Sequence, residues 1–219
     1  MAQRTVDDRL REEYFLLLPE ARRVLEELEV KVRHCLLPLS SQLDKYERLV
    51  VTSRIKDCES ALEALRRRQE AATFDPELGD FYTLTSLNDL AGVRVLAFPK
   101  GRLTDANAAL RVHPLFSSWT PDPVPADTKG EEPLALKYHG YCEAGTKIRG
   151  ELQVLPMLVG LFWEVEHSTI YKPSPQLKGV SQSLEMRQRN SEVLKALKAF
   201  EEEFERLVQR DPLRKNHSS

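Results

Sequence analysis

Two acidic residues carry the strongest chemical signal in the sequence. Asp89 leads into the apolar run Val93–Phe98, and Glu151 and Gln153 alternate with apolar residues in the segment KIRGELQVL. An aspartate beside a buried strand is a good Mg²⁺ ligand when phosphates supply the remaining oxygens, although a capping aspartate is an alternative. Period-two alternation places Glu151 and Gln153 on one face of a strand. There they could bind a hydroxyl group and remove its proton.

Cationic side chains precede this region and could hold a polyphosphate. Arg54 and Lys56 flank one apolar residue, and Ser60 follows four positions later near a helix start. Such groups bind phosphate through charge-assisted hydrogen bonds, although a solvated charged run is the alternative reading. Arg94 alternates with valines, so it should project from one face of the strand. Its guanidinium could stack on a base or pair with phosphate.

Two further clusters lie in the second half of the chain. The run Lys137–Tyr141 sets an aromatic residue beside glycine near a lysine, which suits base stacking and phosphate contact, although such residues are also common in loops. The second cluster contains Glu164, Glu166, His167 and the pair Tyr171–Lys172. A metal-binding role for His167 is disfavoured because no second histidine or cysteine stands at ligand spacing.

Hydrophobic spacing predicts the elements that must position these residues. A first helix is expected from Pro19, ending or kinking at Pro38, because apolar residues recur at helical spacing and proline lacks the amide proton. Further helices are expected over about 59–72, 157–170 and 184–210, and a mobile loop over 120–133. Helices mixed with strands near 93–98 and 151–154 predict an α/β or α+β fold with helical extensions at both ends.

Bulk composition excludes several classes of protein. The 219 residues carry a formal charge of −2, which argues against a general nucleic-acid coat. Three cysteines at no metal-ligand spacing suggest reduced thiols in a cytoplasmic protein. The charged beginning of the sequence is unlike a signal peptide, and no apolar run is long enough to cross a membrane. We therefore expect a cytoplasmic protein with no membrane contact.

The order and spacing of these clusters resemble the synthetase domain of the RelA/SpoT family. The shared motifs are Arg-x-Lys-x-x-x-Ser, Asp-x-x-Gly-x-Arg, Lys-x-x-Gly-Tyr, Glu-x-Gln and Glu-x-Glu-His-x-x-x-Tyr-Lys, spread over about residues 50–172. The chain length is similar to that of the family's small alarmone synthetases. The resemblance implies a nucleotidyltransferase-like mixed sheet. It also implies transfer of pyrophosphate from ATP to the 3′-hydroxyl of GDP or GTP, with Mg²⁺ as cofactor.

The resemblance also implies a role for each matched residue. Asp89 and Glu151 would hold the metal, and Glu151 would act as the base. The ATP-binding residues would be two arginines that sandwich the adenine and three residues near the phosphates: Arg54, Arg94, Lys56, Ser60 and Arg67. The acceptor would meet a stacking tyrosine and its neighbours: Tyr141, Lys137, Gln153 and His167.

Three positions depart from the family pattern. Ala64 stands where a second phosphate-binding lysine is usual, although Arg66 or Arg67 could substitute. After Tyr141, the run Cys142–Gly145 lacks the usual serine and histidine. Leu155 replaces an arginine that commonly follows Glu-x-Gln. The donor and metal residues therefore match the family better than the acceptor residues do.

Several functional and organisational alternatives stay open at this point. The acceptor could instead be the 3′ end of tRNA, in a toxic relative with an antitoxin partner, or an adenosine nucleotide. A domain that binds nucleotide or protein without catalysis is a third option. We expect a helical region over 1–49, the synthetase domain over 50–175, and a helix and tail over 176–219. The apolar seam of that last helix, formed by Val193, Leu197, Phe200, Phe204 and Leu207, predicts self-association or packing on the domain's own core.

Overall fold

The computed structural model describes residues 5–71, 83–124, 135–171 and 175–210. It contains a five-stranded sheet with the strands β1 (Arg48–Ile55), β2 (Ala91–Phe98), β3 (Thr120–Pro121), β4 (Leu136–Gly140) and β5 (Gly150–Pro156). The strand order is β1-β2-β5-β4-β3, with β2 and β5 parallel and the other neighbours antiparallel. The predicted mixed sheet flanked by helices is confirmed.

Seven α-helices of the described chain surround this sheet: α1 (Val6–Ser40), α2 (Cys58–Ala71), α3 (Arg102–Val112), α4 (Pro114–Ser117), α5 (Met157–Glu166), α6 (Lys178–Gln182) and α7 (Leu184–Arg210). Short 3-10 turns cover Leu84–Ser86 and Pro175–Leu177, and a π-helical turn over His167–Tyr171 continues α5. No helix in the described ranges is both long and apolar enough to cross a membrane.

The first helix begins much earlier than the sequence spacing predicts. Thr5 and Asp8 form a capping box that starts α1 at Val6, because each side chain binds the other's backbone amide. Leu10 and Tyr14 extend the buried stripe toward the start of the helix, and Pro19 lies inside it. The expected start at Pro19 is therefore wrong, whereas the end falls within one turn of Pro38.

Three strand segments were not expected from the sequence. The charged run that contains Arg54 belongs to β1, and the Lys137 motif, which also suited a loop, forms β4. The predicted mobile loop begins instead with β3, and Val124 pairs with Ala135 beyond it. The rest of that predicted loop, 125–133, lies outside the described residues.

The two faces of the sheet have different roles. One face packs against α1 and α3 in a continuous core that includes Val93, Leu152, Leu28 and Val32. The opposite face is polar toward one end of the strands. Toward the other end it carries Leu96, Leu155 and Ala135, against which Met157 and Trp163 of the α5 segment pack. A helix thus covers half of this face and leaves the polar half accessible.

The C-terminal helix α7 packs on the same chain through part of the predicted seam. Phe204 contacts Phe98 with ring centroids 4.9 Å apart, and Glu201 is buried. Val193, Phe200 and Leu207 of the predicted seam are about half exposed. Packing on the domain's own core is therefore observed, and self-association through the outward residues stays a prediction.

Candidate functional site

The polar half of the sheet collects residues from four strands on one face. In the first row, Arg54 pairs with Gly92, Gly92 with Glu151, and Glu151 with His139. In the second row, the paired positions run from Thr52 through Arg94 and Gln153 to Lys137. Side chains at paired positions point to the same side of a sheet. The register therefore brings together predicted donor, metal and acceptor residues that are about 100 positions apart in sequence.

A hydrogen-bonded relay crosses this face. Arg94 donates from Nε to Gln153 Oε1 at 3.0 Å, and Gln153 donates from Nε2 to Glu151 Oε1 at 2.6 Å. Lys137 Nζ lies 3.6 Å from Glu151 Oε2 and 3.0 Å from Asp122 Oδ2. Because each member fixes its neighbour, the side chains are ordered before any ligand arrives.

Glu151 is buried and negatively charged groups lie near it. It is 6% exposed, and burial raises the pKa of its carboxyl, with a further contribution from the charge of Asp89. Lys137 and the Gln153 hydrogen bond oppose this rise. For Lys137 itself burial acts to lower the pKa, but Asp122, Glu151 and Asp89 outweigh it and the pKa is raised. A carboxyl group with a raised pKa is suited to accept a proton near neutral pH.

Asp89 lies at the entry to β2 and pairs with Lys56 Nζ, with side chains 22% and 13% exposed. Together they line a cleft of about 360 Å³ with Ser60, Arg67 and His167. The cleft opens beside the start of α2, where the Asp57 side chain accepts the Ser60 backbone amide. The structure thus places the three residues predicted near the ATP phosphates, Lys56, Ser60 and Arg67, around one cavity.

A second cleft of about 480 Å³ adjoins the first and shares Arg54 and His167 with it. Arg94, Gln153, Trp163 and Glu164 complete much of its lining. Glu164 Oε1 accepts a hydrogen bond from Arg94 Nη1 at 3.0 Å. Burial lowers the pKa of the Arg94 guanidinium, and repulsion from Arg54 adds to this effect. Two guanidinium groups beside one cavity can enclose a planar base. His167 borders these two clefts, whereas the sequence placed it with the acceptor.

Gly92 leaves a gap in the polar face between Arg54 and Glu151. A methyl group built on Gly92 would meet only one neighbouring atom, the Glu151 backbone oxygen, at 3.9 Å. A small cavity of about 70 Å³ lies over this position, lined by Arg94, Gln153 and Glu164 among others. The missing side chain therefore keeps a passage open across the sheet from the arginines to the buried carboxylate.

Tyr141 lies in a third cleft of about 370 Å³ at the end of β4, with Arg149, His139 and Trp119. The Arg149 guanidinium carbon is 5.4 Å from the centre of the Tyr141 ring, and Arg149 also donates to Asn88 at 2.9 Å. Trp119 is 3% exposed and donates from Nε1 to the Tyr141 carbonyl at 3.3 Å. His139 joins this cleft to the Glu151 row, so the three clefts lie along one continuous surface.

The three departures from the family pattern have structural explanations. Ala64 packs against the core, Arg67 lines the cleft beside Lys56 and Asp89, and Arg66 pairs with Asp7 of α1. Leu155 is fully buried under α5, where Gly160 allows close contact, because a methyl group on Gly160 would lie 3.0 Å from Leu155 Cδ1. An arginine at this position would be buried without water. Gly145 adopts a φ of 86° in the short β4–β5 connection, which favours glycine.

Sequence patterns did not identify five residues that line these clefts: Trp119, His139, Arg149, Trp163 and Glu164. Glu164 and His139 lay inside recognised motifs without an assigned role. Strand pairing would have marked His139, because it stands opposite Glu151. No motif or periodic pattern in the sequence marked Trp119, because this residue lies between a short helix and a proline-rich segment.

The metal-binding prediction has a chemically suitable donor set. Within the described ranges no cluster of three or more histidine, cysteine, aspartate or glutamate side chains is placed to bind a metal. Asp89 is nevertheless close enough to Glu151 to raise its pKa. Magnesium sites in phosphoryl-transfer enzymes often use one or two carboxylates and complete the shell with phosphate oxygens and water. These two residues fit such a site.

No protein-family model matches the sequence, and no curated protein matches it. Solved structures do match. Small alarmone synthetase 1 from Bacillus subtilis bound to its product pppGpp aligns with a TM-score of 0.65 and 18% identity, over 91% of this chain and 97% of that chain. The chain has the fold of the small alarmone synthetases. The same Bacillus subtilis protein bound to AMPCPP aligns at a TM-score of 0.62 and 18% identity, over 92% of this chain and 100% of that chain.

A GTP pyrophosphokinase family protein from Streptococcus pneumoniae has the same fold, with a TM-score of 0.66, 18% identity, and coverage of 93% of this chain and 96% of that chain. The chain therefore spans nearly the whole length of these three structures. The fold predicted from the motifs is confirmed.

Proposed function

We propose that this chain is a pyrophosphokinase that transfers the β,γ-pyrophosphate of ATP to the 3′-hydroxyl of GDP or GTP. The observation that carries the proposal is the arrangement of three clefts along one face of the sheet, with Glu151 lining the small cavity over Gly92 on that same face. One cleft offers two arginines, one offers cations and a carboxylate, and one offers an exposed tyrosine. Structures with this fold include one bound to an ATP analogue and one bound to pppGpp.

The donor nucleotide would occupy the two adjoining clefts. Arg54 and Arg94 would hold the adenine, and Lys56, Ser60 and Arg67 would hold the phosphates. Lys56 now neutralises Asp89, so incoming phosphate oxygens would replace a carboxylate as the partner of the ammonium group. Asp89 would then be free to join Glu151 in holding Mg²⁺, which would neutralise charge on the phosphate oxygens.

The acceptor would stack on Tyr141 and extend toward Glu151. Glu151 would take the proton of the 3′-hydroxyl as that oxygen forms a bond to the β-phosphorus of ATP. The bond from the β-phosphorus to the oxygen of the α-phosphate would break, and AMP would leave with that oxygen. Gln153 holds Glu151 in position at 2.6 Å, and the open space over Gly92 gives the phosphates a path between the clefts.

The experiment offers γ-radiolabelled ATP and Mg²⁺ to the purified chain with GDP, GTP, ATP or bulk tRNA in parallel. Labelled guanosine nucleotide is the expected product, and Glu151→Gln should reduce its formation about 100- to 10,000-fold because the proton acceptor is lost. Glu185→Gln on the exposed first turn of α7 is the matched control and should keep full activity.

The other acceptors make the experiment decisive. Label on tRNA alone, or on an adenosine nucleotide alone, would show that the chain is a pyrophosphokinase whose acceptor is not a guanosine nucleotide. Absence of label on every acceptor, from protein that binds ATP, would refute catalysis and favour a nucleotide-binding domain.

A further inference from the structure

His139 combines three features that the roles assigned so far leave unexplained. It lies directly opposite Glu151 in the antiparallel pairing of β4 and β5. It lines the cleft that contains Tyr141 and Arg149. Its Nδ1 atom is buried and has no hydrogen-bond partner among the described residues. A polar ring that joins the acceptor cleft to the buried carboxylate is well placed to contact a ligand.

The buried Nδ1 atom indicates which ring nitrogen of His139 can donate to a ligand. An imidazole ring carries a proton on at least one of its two nitrogens. Because an N–H group at the buried Nδ1 would have no acceptor among the described residues, the proton belongs on Nε2. The Nε2 edge is therefore a hydrogen-bond donor available at the cleft.

The position of this donor relative to Glu151 identifies the part of the acceptor that it would meet. Side chains at directly opposed positions of antiparallel strands lie about 5 Å apart at Cβ. If Glu151 takes the proton of a 3′-hydroxyl, the neighbouring group on the same ribose is the 2′-hydroxyl. An N–H donor suits a hydroxyl oxygen, and the adjacent cations remain for phosphates.

We propose that His139 donates a hydrogen bond from Nε2 to the 2′-hydroxyl of the acceptor ribose, so that the enzyme selects ribonucleotides over 2′-deoxyribonucleotides. The inference rests on the proposed function, because it uses the 3′-hydroxyl as the reacting group. The family's usual histidine is absent from the run Cys142–Gly145 of this chain, and the proposal gives an acceptor contact to a different histidine, on β4.

The test compares GDP with 2′-deoxy-GDP as acceptors, with ATP and Mg²⁺ held constant. The wild-type chain should favour GDP about tenfold in kcat/KM, since one hydrogen bond is lost with the deoxy acceptor. His139→Ala should remove most of this preference, with the KM for ATP unchanged. His139→Gln should retain part of it, because its terminal amide can donate from near the Nε2 position, whereas His139→Asn should not.

His34→Asn is the matched control, because His34 is exposed on α1 and should leave the preference unchanged. A preference that persists in His139→Ala would refute this inference and leave the proposed function intact. A wild-type chain that pyrophosphorylates neither guanosine nucleotide would instead refute the guanosine acceptor itself. Circular dichroism of each variant verifies that the fold is retained, and His139→Gln keeps the test decisive if His139→Ala fails to fold.

Discussion

Replacing Glu201 with glutamine tests whether α7 is docked through a buried carboxyl group. Glu201 is 1% exposed and accepts the Leu158 backbone amide at 2.9 Å. Pro156 precedes α5 without a side-chain cap, so Glu201 supplies a partner for an amide that the helix itself leaves unpaired. At the other end of α5, Asn190 of α7 donates to Glu166. The docked helix thus holds both ends of the element that carries Glu164 into the cleft lined by Arg54 and Arg94.

The pKa of Glu201 sets the expected magnitude. Burial raises it from the ordinary 4.5 to about 7, although the Leu158 amide and Lys100 oppose the rise and Glu202 adds to it. The folded chain therefore binds the proton more tightly than the unfolded chain, and stability falls as the pH rises from about 4.5 through about 7. This difference corresponds to about 3 kcal/mol at about 1.4 kcal/mol per pKa unit.

Glu201→Gln keeps an oxygen for the Leu158 amide and removes the buried charge. The new amide donors offset about 1 kcal/mol of the gain, because they need partners of their own. We therefore expect the free energy of unfolding at pH 8 to rise by about 2 kcal/mol relative to the wild type. At pH 4.5 the advantage should disappear, since the wild-type carboxyl group is then largely protonated in the folded chain.

Urea unfolding at several pH values, followed by circular dichroism, measures this difference. Glu185→Gln is the control, because Glu185 is exposed on the same helix and its replacement should give a pH dependence parallel to that of the wild type. Parallel curves for Glu201→Gln and the wild type between pH 5 and 8 would show that Glu201 ionises as an exposed carboxyl does, and would refute the reasoning. A loss of stability at pH 8 would show instead that the charged hydrogen bond outweighs the cost of burial.

Two further predictions address the clefts directly. Gly92→Val should lower activity about 100-fold by filling the passage beside Glu151, while stability is retained, because a Cβ at this position meets only the Glu151 backbone oxygen, at 3.9 Å. Gly160→Val should instead destabilise the fold, since its Cβ would lie 2.4 Å from a Leu96 methyl carbon. Urea unfolding measures the stability of the two variants, and the labelled-product assay measures their activity. If Gly92→Val lost as much stability as Gly160→Val, the open passage over Gly92 would be contradicted. The chain has two tryptophans, Trp163 in the cleft proposed for ATP and Trp119 in the cleft proposed for the acceptor. ATP should therefore change Trp163 fluorescence in Trp119→Phe, and the acceptor should change Trp119 fluorescence in Trp163→Phe. If ATP instead changed Trp119 fluorescence and the acceptor changed Trp163 fluorescence, the proposed donor and acceptor clefts would have to be exchanged.

Local alternation explains which parts of the fold were predictable. Glu151 and Gln153 were placed on one strand face because apolar residues alternate with them, and the structure confirms this arrangement. The strand β1 was missed because exposed and partly buried residues do not alternate regularly along it. Its charged end, which contains Arg54, therefore looked like a solvated run in the sequence. The early start of α1 depends on a capping box at Thr5, ahead of the region where the apolar spacing is regular.

The candidate site was predictable residue by residue but not as a surface. Motifs identified Arg54, Arg94 and Lys137, yet their common face follows from the register of strands that are distant in sequence. Nothing local could show that Arg94 donates to Glu164, because that contact joins a strand to a helix across 70 positions.

The position of α5 links the departures from the family pattern to the geometry of the site. Leu155 and Leu96 form the apolar half of the sheet face whose other half carries the polar site residues. Gly160 lets α5 pack closely on these two leucines. That contact directs the far end of α5 over the arginines, where Glu164 meets Arg94. An arginine at 155 would occupy the contact surface of α5 and carry a charge into it. The loss of a motif residue at 155 is therefore compatible with an intact cleft between Arg54 and Arg94, because at this position the side chain supports the helix instead of lining the cavity.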